Sequence, residues 1–291
     1  MGSSRWSDAD WTSTVATRST MSREQIFTNR NMKTHLDPKG ILLRESCDSD
    51  VNPRSNAIIL GLDVSGSMGV IAEKMAKEGL GQLISGIYER KPVEDPHVMI
   101  MAIGDVDYDR APLQVSQFEA DIKISDQLAE LWLESGGGGN SHESYDLPWY
   151  FAAHKTTIDC FNKRSKKGYL FTIGDEETPT GVSKAQLKTI FGDGDSKPYT
   201  SSELLAQAEE KYNVFHIIVE EGNHARHHLT AVTNKWRQLL GKHAILLDNY
   251  NYVSQVILSV LDVAEGADPE TVVASWQDKA VQKTVRHALF D

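Results

Sequence analysis

The sequence predicts a doubly wound α/β sheet, and three observations carry that reading. Apolar runs of strand length at 57–62, 96–103, 214–219 and 244–247 alternate with longer stretches of helical apolar spacing. An acidic, hydroxyl-bearing loop, Asp63-Val64-Ser65-Gly66-Ser67, stands where the first run hands over to the first helix. That handover lies at the carboxyl end of a strand, the edge at which open α/β sheets bind ligands. The composition also suits a substantial core: of 291 residues, 40% are hydrophobic and 24% charged.

Residues 1–54 have no sustained apolar period. Trp6, Trp11 and the run Ile41-Leu42-Leu43 are isolated apolar points, so the stretch reads as an arm laid on its own domain or docked on a partner. The turn Asn52-Pro53-Arg54-Ser55 marks the start of the main domain, residues 55–266. Ile71, Ala72, Met75, Ala76, Leu80, Leu83, Ile84 and Ile87 set a helix over 70–88. A buried strand follows at 96–103 and a short one at 113–118. Asp105, Asp107 and Asp109 alternate between them. Arg110 stands where an EF-hand loop needs Gly, and Ser116 where it needs a bidentate Glu, so they read as an acidic rim loop, with a second cation as the alternative.

Helices are expected at 125–134 and, past the glycine run 136–139, at 143–157. The basic cluster 163–167 reads as a solvated turn before a strand that ends at 170–174. Helices at 183–191 and 201–212 precede the strand 214–219, whose His216 reads as a packed histidine. Residues 222–228 read as a loop. Its His224, His227 and His228 lack a nearby Cys and a His-Glu-x-x-His signature, so they are expected to help select an acidic ligand rather than to bind zinc. A helix at 229–240, a strand at 244–247 and a helix at 253–263 close the domain. Asp268-Pro269 then start a C-terminal helix, residues 267–291. Its Val273, Trp276, Ala280, Val281, Val285 and Leu289 share one apolar face, which packs on the domain or on a partner.

Charge and cysteine usage narrow the function. The net charge of −11 argues against a general nucleic-acid binder. Residues 1–54 hold 8 of the 30 basic and 7 of the 41 acidic groups, so the acidity belongs to the body. Two cysteines, Cys47 and Cys160, make no disulfide scaffold. With no signal-like segment and no apolar run of spanning length, a cytoplasmic chain without a membrane role is expected. Gly61 and Gly66 do not make the Gly-x-Gly-x-x-Gly of a dinucleotide site.

The first loop carries the chemistry. Asp63 offers an anionic oxygen, and Ser65 and Ser67 offer hydroxyls at alternate positions. Hard oxygen ligands without Cys or His suit Mg²⁺ or Mn²⁺. With few carboxylates around it, such a cation still attracts an anionic ligand from outside.

Asp-x-Ser-x-Ser after the first strand resembles the metal-ion-dependent adhesion site of von Willebrand factor type A domains, and the likeness spans about residues 56–265. The second loop of that family carries a Thr after a glycine run. Here Gly136-Gly137-Gly138-Gly139-Asn140-Ser141 offers Ser141 in its place. The third motif is Thr-Asp-Gly at the end of the fourth strand. Here Ile173 holds the Asp position and Asp175 follows two residues later, with Glu176 and Glu177 as alternatives.

The resemblance implies a six-stranded, mostly parallel Rossmann-like sheet with helices on both faces and an antiparallel edge strand at the third position. It implies a metal set of Asp63, Ser65, Ser67, Ser141 and Asp175, with no covalent chemistry. The ligand is then an Asp or Glu of a protein partner. By the same resemblance the chain is a prokaryotic or phage-type adaptor, and its partner a MoxR-type AAA+ ATPase or a phage or conflict-system component. The alternative is a Mg²⁺-dependent phosphate-ester hydrolase, since a divalent ion can activate water. Against it, no general base stands in the first loop, and Ser65 occupies the place of a second carboxylate; Glu176 or one of the nearby histidines is the candidate base that keeps this alternative open.

Overall fold

A computed structural model describes residues 4–134, 140–192 and 197–291, with the Ser67 side chain outside the description. Ten strands occur among the described residues. They are β1 Arg44–Ser46, β2 Asn56–Asp63, β3 Pro96–Ile103, β4 Leu113–Val115 and β5 Thr156–Ile158. β6 Gly168–Gly174, β7 Gly181–Val182, β8 Tyr199–Thr200, β9 Tyr212–Val219 and β10 Ala244–Leu247 follow. The central sheet has six strands in the order β10-β9-β6-β2-β3-β4, and every pairing is parallel except β3 with the edge strand β4.

Strand alternation splits the core into two layers. On β2, Ile58, Leu60 and Leu62 face one cluster, with Ile71 of Gly69–Lys74, Leu80, Leu83 and Ile87 of Leu80–Arg90, and Val256, Ile257 and Leu261 of Val253–Ala264. Ala57 and Ile59 face the other, with Trp149 and Phe151 of Asp146–His154, Leu204 of Ser201–Glu209 and Trp236 of Asn223–Leu240. Period-2 strands between helices on both faces make this doubly wound arrangement. From β2 the chain passes to β3 on one side, while β6 lies on the other. The crevice at the carboxyl ends of β2 and β6 is therefore the topological switch point.

The arm lies on its own domain, one of its two expected arrangements: Asp8–Arg18 is helical, β1 pairs in parallel with β5, and Trp11 lies against Gly81. Four stretches differ from the sequence expectation. The helix expected at 125–134 is Lys123–Ala129. Beyond it Trp132 exchanges backbone bonds with the buried Gln114 side chain, N–H to Oε1 at 2.9 Å and O from Nε2 at 2.8 Å. The helix expected at 143–157 is Asp146–His154, because the Glu143 and Ser144 amides bond the Glu177 and Gly104 carbonyls at 3.0 and 3.2 Å instead.

Residues 222–228 are not a loop. The helix Asn223–Leu240 begins there, with its first amides capped from a distance by Asp175, and kinks at His228 (φ −130°). The C-terminal stretch is two helices, Pro269–Ser275 and Lys279–Phe290. Trp276 turns extended between them, its Nε1–H donating to Ser259 Oγ at 2.9 Å, and Asp278 caps the second. Val273, Val281, Val285 and Ala288 are buried in the core cluster that includes the Val253–Ala264 helix, so this face packs on its own domain. Among the described residues no helix is long and apolar enough to cross a membrane.

Candidate metal centre

Asp63 ends β2 fully buried. Its Oδ1 accepts from the Ser65 amide at 2.9 Å and the Ser65 hydroxyl at 2.7 Å, and its Oδ2 from the Tyr145 hydroxyl at 2.7 Å. Gly66 takes φ +38°, which lets the loop fold back over the strand end. The next strand end must come very close. A Cβ on Gly174 would lie 1.9 Å from Tyr145 Oη and 2.8 Å from Asp63 Oδ2, so only glycine fits there.

Three more carboxylates gather on this edge. Glu143, 2% exposed, is pushed well up by burial and then by Asp63 and Glu176, and the Ser65 hydroxyl partly offsets this. Burial also raises Asp63, and Asp175 adds to the rise. Glu176 is pushed up to about 8 by burial, then by Asp63, Asp175 and Asp105. Asp175 is raised by burial and moderated by the amides of His224 and Ala225. No Lys, Arg or His side chain forms an ion pair with any of the four among the described residues. Glu143 Oε2 and Glu176 Oε2 are buried without a hydrogen-bond partner.

An aromatic floor holds the cluster. Tyr145 meets His216 and Trp236 edge-on, with ring centroids at 4.8 and 5.5 Å, and His216 stacks on Trp236 at 3.5 Å. Burial holds His216 well below the usual imidazole range, so it stays neutral, with Nδ1 bonded to Thr172 Oγ1 at 2.8 Å. It is a packed histidine. Trp236 donates Nε1–H to the Glu176 carbonyl at 2.9 Å and so anchors the third loop.

The residues singled out from sequence fall into separate places. Asp63 and Ser65 sit at the centre. Ser67 lies in the 3-10 turn Gly66–Met68, its side chain outside the described residues, as are Gly136 to Gly139. Ser141 is exposed, and its carbonyl accepts from the Glu177 amide at 3.3 Å. Asp175 is buried, and its Oδ2 accepts the His224 amide at 2.8 Å. Glu177 faces Lys235 at 3.5 Å.

Sequence reasoning passed over Glu143 and Tyr145. A signal was present, because Glu143 is a lone acid between the glycine run and the apolar stretch that begins at Tyr145. Buried carboxylates with unpaired oxygens and no basic partner fit a hard divalent cation, which would neutralise the cluster.

No family model matches the chain, and no curated protein matches it in sequence. Similar solved structures include proximal thread matrix protein 1 of the mussel byssus, at 11% identity and a TM-score of 0.47, covering 72% of this chain and 48% of that one. A von Willebrand factor type A protein from Catenulispora acidiphila aligns at 12% identity and TM-score 0.41, covering 74% and 43%. BatB from Bacteroides thetaiotaomicron aligns at 14% and 0.41, covering 72% and 98%. The chain thus spans under half of the first of these.

Proposed function

We propose that the chain is a protein-interaction module whose docking depends on a divalent cation, Mg²⁺ or Mn²⁺, at the switch point of the sheet. One observation carries this reading: Glu143 Oε2 and Glu176 Oε2 lie buried and unpaired beside the buried Asp63. Burying carboxylates without a counter-charge is costly, and a cation removes that cost. Asp63, Ser65, Ser67 and Glu143 would hold it. Ser141 would leave the second-loop role to Glu143, two residues on. Asp175 would steady the Asn223–Leu240 helix, while Glu176 completes the charge.

The cation supplies Lewis acidity toward an incoming oxygen ligand. The partner group is an Asp or Glu side chain. A groove of about 210 Å³ beside the first loop is lined by Met68, Val219, Glu221, Asn223 and Arg226, and Arg226, whose Nη2 donates to the Glu221 carbonyl at 2.8 Å, would turn to the same carboxylate. The role proposed for the chain is that of a cytoplasmic adaptor, and the partner class is a MoxR-type AAA+ ATPase or a phage or conflict-system component.

Calorimetric titration of Mg²⁺ and Mn²⁺ into the parent, Asp63→Asn and Glu143→Gln is the test, followed by partner capture with and without chelator. Binding in the parent and loss in both variants is expected. A parent that binds neither ion, with capture indifferent to chelator, would sink the reading. Turnover of phosphate esters by the Mg²⁺-loaded parent would favour a hydrolase instead.

A further inference from the structure

The face carries more carboxylates than one divalent cation neutralises, and they extend past Glu176 to Asp105, which raises it. Asp105 is fully buried at the end of the β3 edge, Asp107 is exposed, and His142 lies across from them on the second loop. One ligand atom from each, two carboxylate oxygens and an imidazole nitrogen, lie within 4.8 Å of one another. We propose that Asp105, Asp107 and His142 hold a second divalent cation, of the zinc, cobalt or manganese kind, at the mouth of the neighbouring cleft. The imidazole separates it in kind from the oxygen-only first site, since nitrogen ligands favour transition metals over Mg²⁺.

In the metal-free chain the Asn140 amide donates to Asp105 Oδ2 and stands 3.3 Å from His142 Nε2, and Gln186 Nε2 donates to Asp107 Oδ1 at 2.9 Å, so a cation would displace these donors. Independently, Asp107 and His142 line a cleft of about 310 Å³ together with Glu177, Thr178, Thr180 and Lys235. Thr178 in its wall is 4% exposed, and its Oγ1 has no hydrogen-bond partner. A buried hydroxyl left unpaired beside a ligand triad is a contact awaiting an occupant. The site is also held in place. The Asp107 amide donates to Asp105 Oδ1 at 2.8 Å, and the His142–Glu177 bridge joins the second and third loops.

The test titrates Zn²⁺, and separately Co²⁺, into the full chain already saturated with Mg²⁺. One further equivalent should bind. His142→Gln and Asp107→Asn should each weaken it at least about ten-fold and change the visible absorption of the Co²⁺ form. Asp63→Asn removes the first site and should leave this equivalent in place, so failure of one site is separable from failure of the other. His224 and His228 have ring centroids 4.8 Å apart, tilted by 37°, and are the competing place for a soft ion. His224→Gln should therefore change nothing. No further equivalent in the parent, binding indifferent to His142→Gln, or loss in His224→Gln would each overturn the proposal.

Discussion

Replacing Glu176 with Gln asks whether the carboxylates on the sheet edge strain the metal-free fold. The Glu176 carboxyl is pushed from 4.5 up to about 8, first by burial and then by Asp63, Asp175 and Asp105. Because its folded pKa is raised, its contribution to stability is fully present below the unfolded value and is lost as pH rises through the folded one. The parent should therefore shed stability from about pH 4.5 to about pH 8. A rise of about 3.5 corresponds to about 5 kcal/mol as a ceiling. Glu176 is only half-buried, and solvent screening reduces this to about 2 kcal/mol. A chain of 291 residues unfolds with an entropy of roughly 0.6 kcal/mol/K, so the effect is about 3 °C in Tm.

Gln keeps the shape and cannot ionise. In chelator, Glu176→Gln should melt with the parent near pH 5 and about 3 °C above it near pH 8.5. The buried His97 and His216 are common to both proteins and cancel in the difference. Saturating Mg²⁺ at pH 8.5 should narrow this gap. A cation at a hundred times its Kd adds about 2.7 kcal/mol to the parent, and less to a variant missing one carboxylate. Thermal melts followed by circular dichroism at both pH values, with and without Mg²⁺, give all four comparisons. A variant that melts below the parent at pH 8.5 in chelator, or gains as much from Mg²⁺, would refute like-charge strain at this carboxylate.

Three further outcomes are expected. Gly174→Ala places a methyl 1.9 Å from Tyr145 Oη and 2.8 Å from Asp63 Oδ2. It should cost about 1–3 kcal/mol in urea unfolding and weaken cation binding; an unchanged midpoint would contradict the close approach of the two strand ends. Asp175→Ala removes the acceptor of the His224 amide, which should cost about 1–2 kcal/mol as a lost cap. Its loss of Mg²⁺ affinity should be smaller than in Glu143→Gln, and the reverse ranking by calorimetry would return Asp175 to the ligand set. Gly81→Ala sets a methyl 2.0 Å from Trp11 Nε1. It should expel the tryptophan, seen as a fluorescence change and faster proteolysis before residue 20; retained protection would mean the arm is held elsewhere.

The carboxylate-lined edge of the sheet shows which of its residues could be read early. Asp63 and Ser65 could be, because a strand-to-helix handover carries its own local grammar of apolar period, acid, hydroxyl and glycine. Asp175 and Ser141 were expected from the family resemblance, by their places near its second and third motifs. Spacing does not register that a helix starting at Asn223 engages Asp175, or that Ser141 and Glu143 follow an extended path beside Glu177. The two-stranded β1–β5 sheet was missed for a similar reason. Its partners, such as Arg44 and Thr156, are far apart in the chain, and neither three-residue strand has an apolar period of its own.

The sequence by itself determined the alternating α/β layers, the buried strands and the loop at the end of the first of them. Those depend on periodicity and on contacts between near neighbours, which the order of residues records directly. Only the tertiary structure decided which carboxylates meet. Glu143, Glu176 and Asp105 come from three different loops, and Glu176 raises Glu143 while Asp105 raises Glu176, because the sheet order places β2 between β3 and β6. Electrostatic coupling depends on distance through space and on burial, and neither quantity is written along the chain.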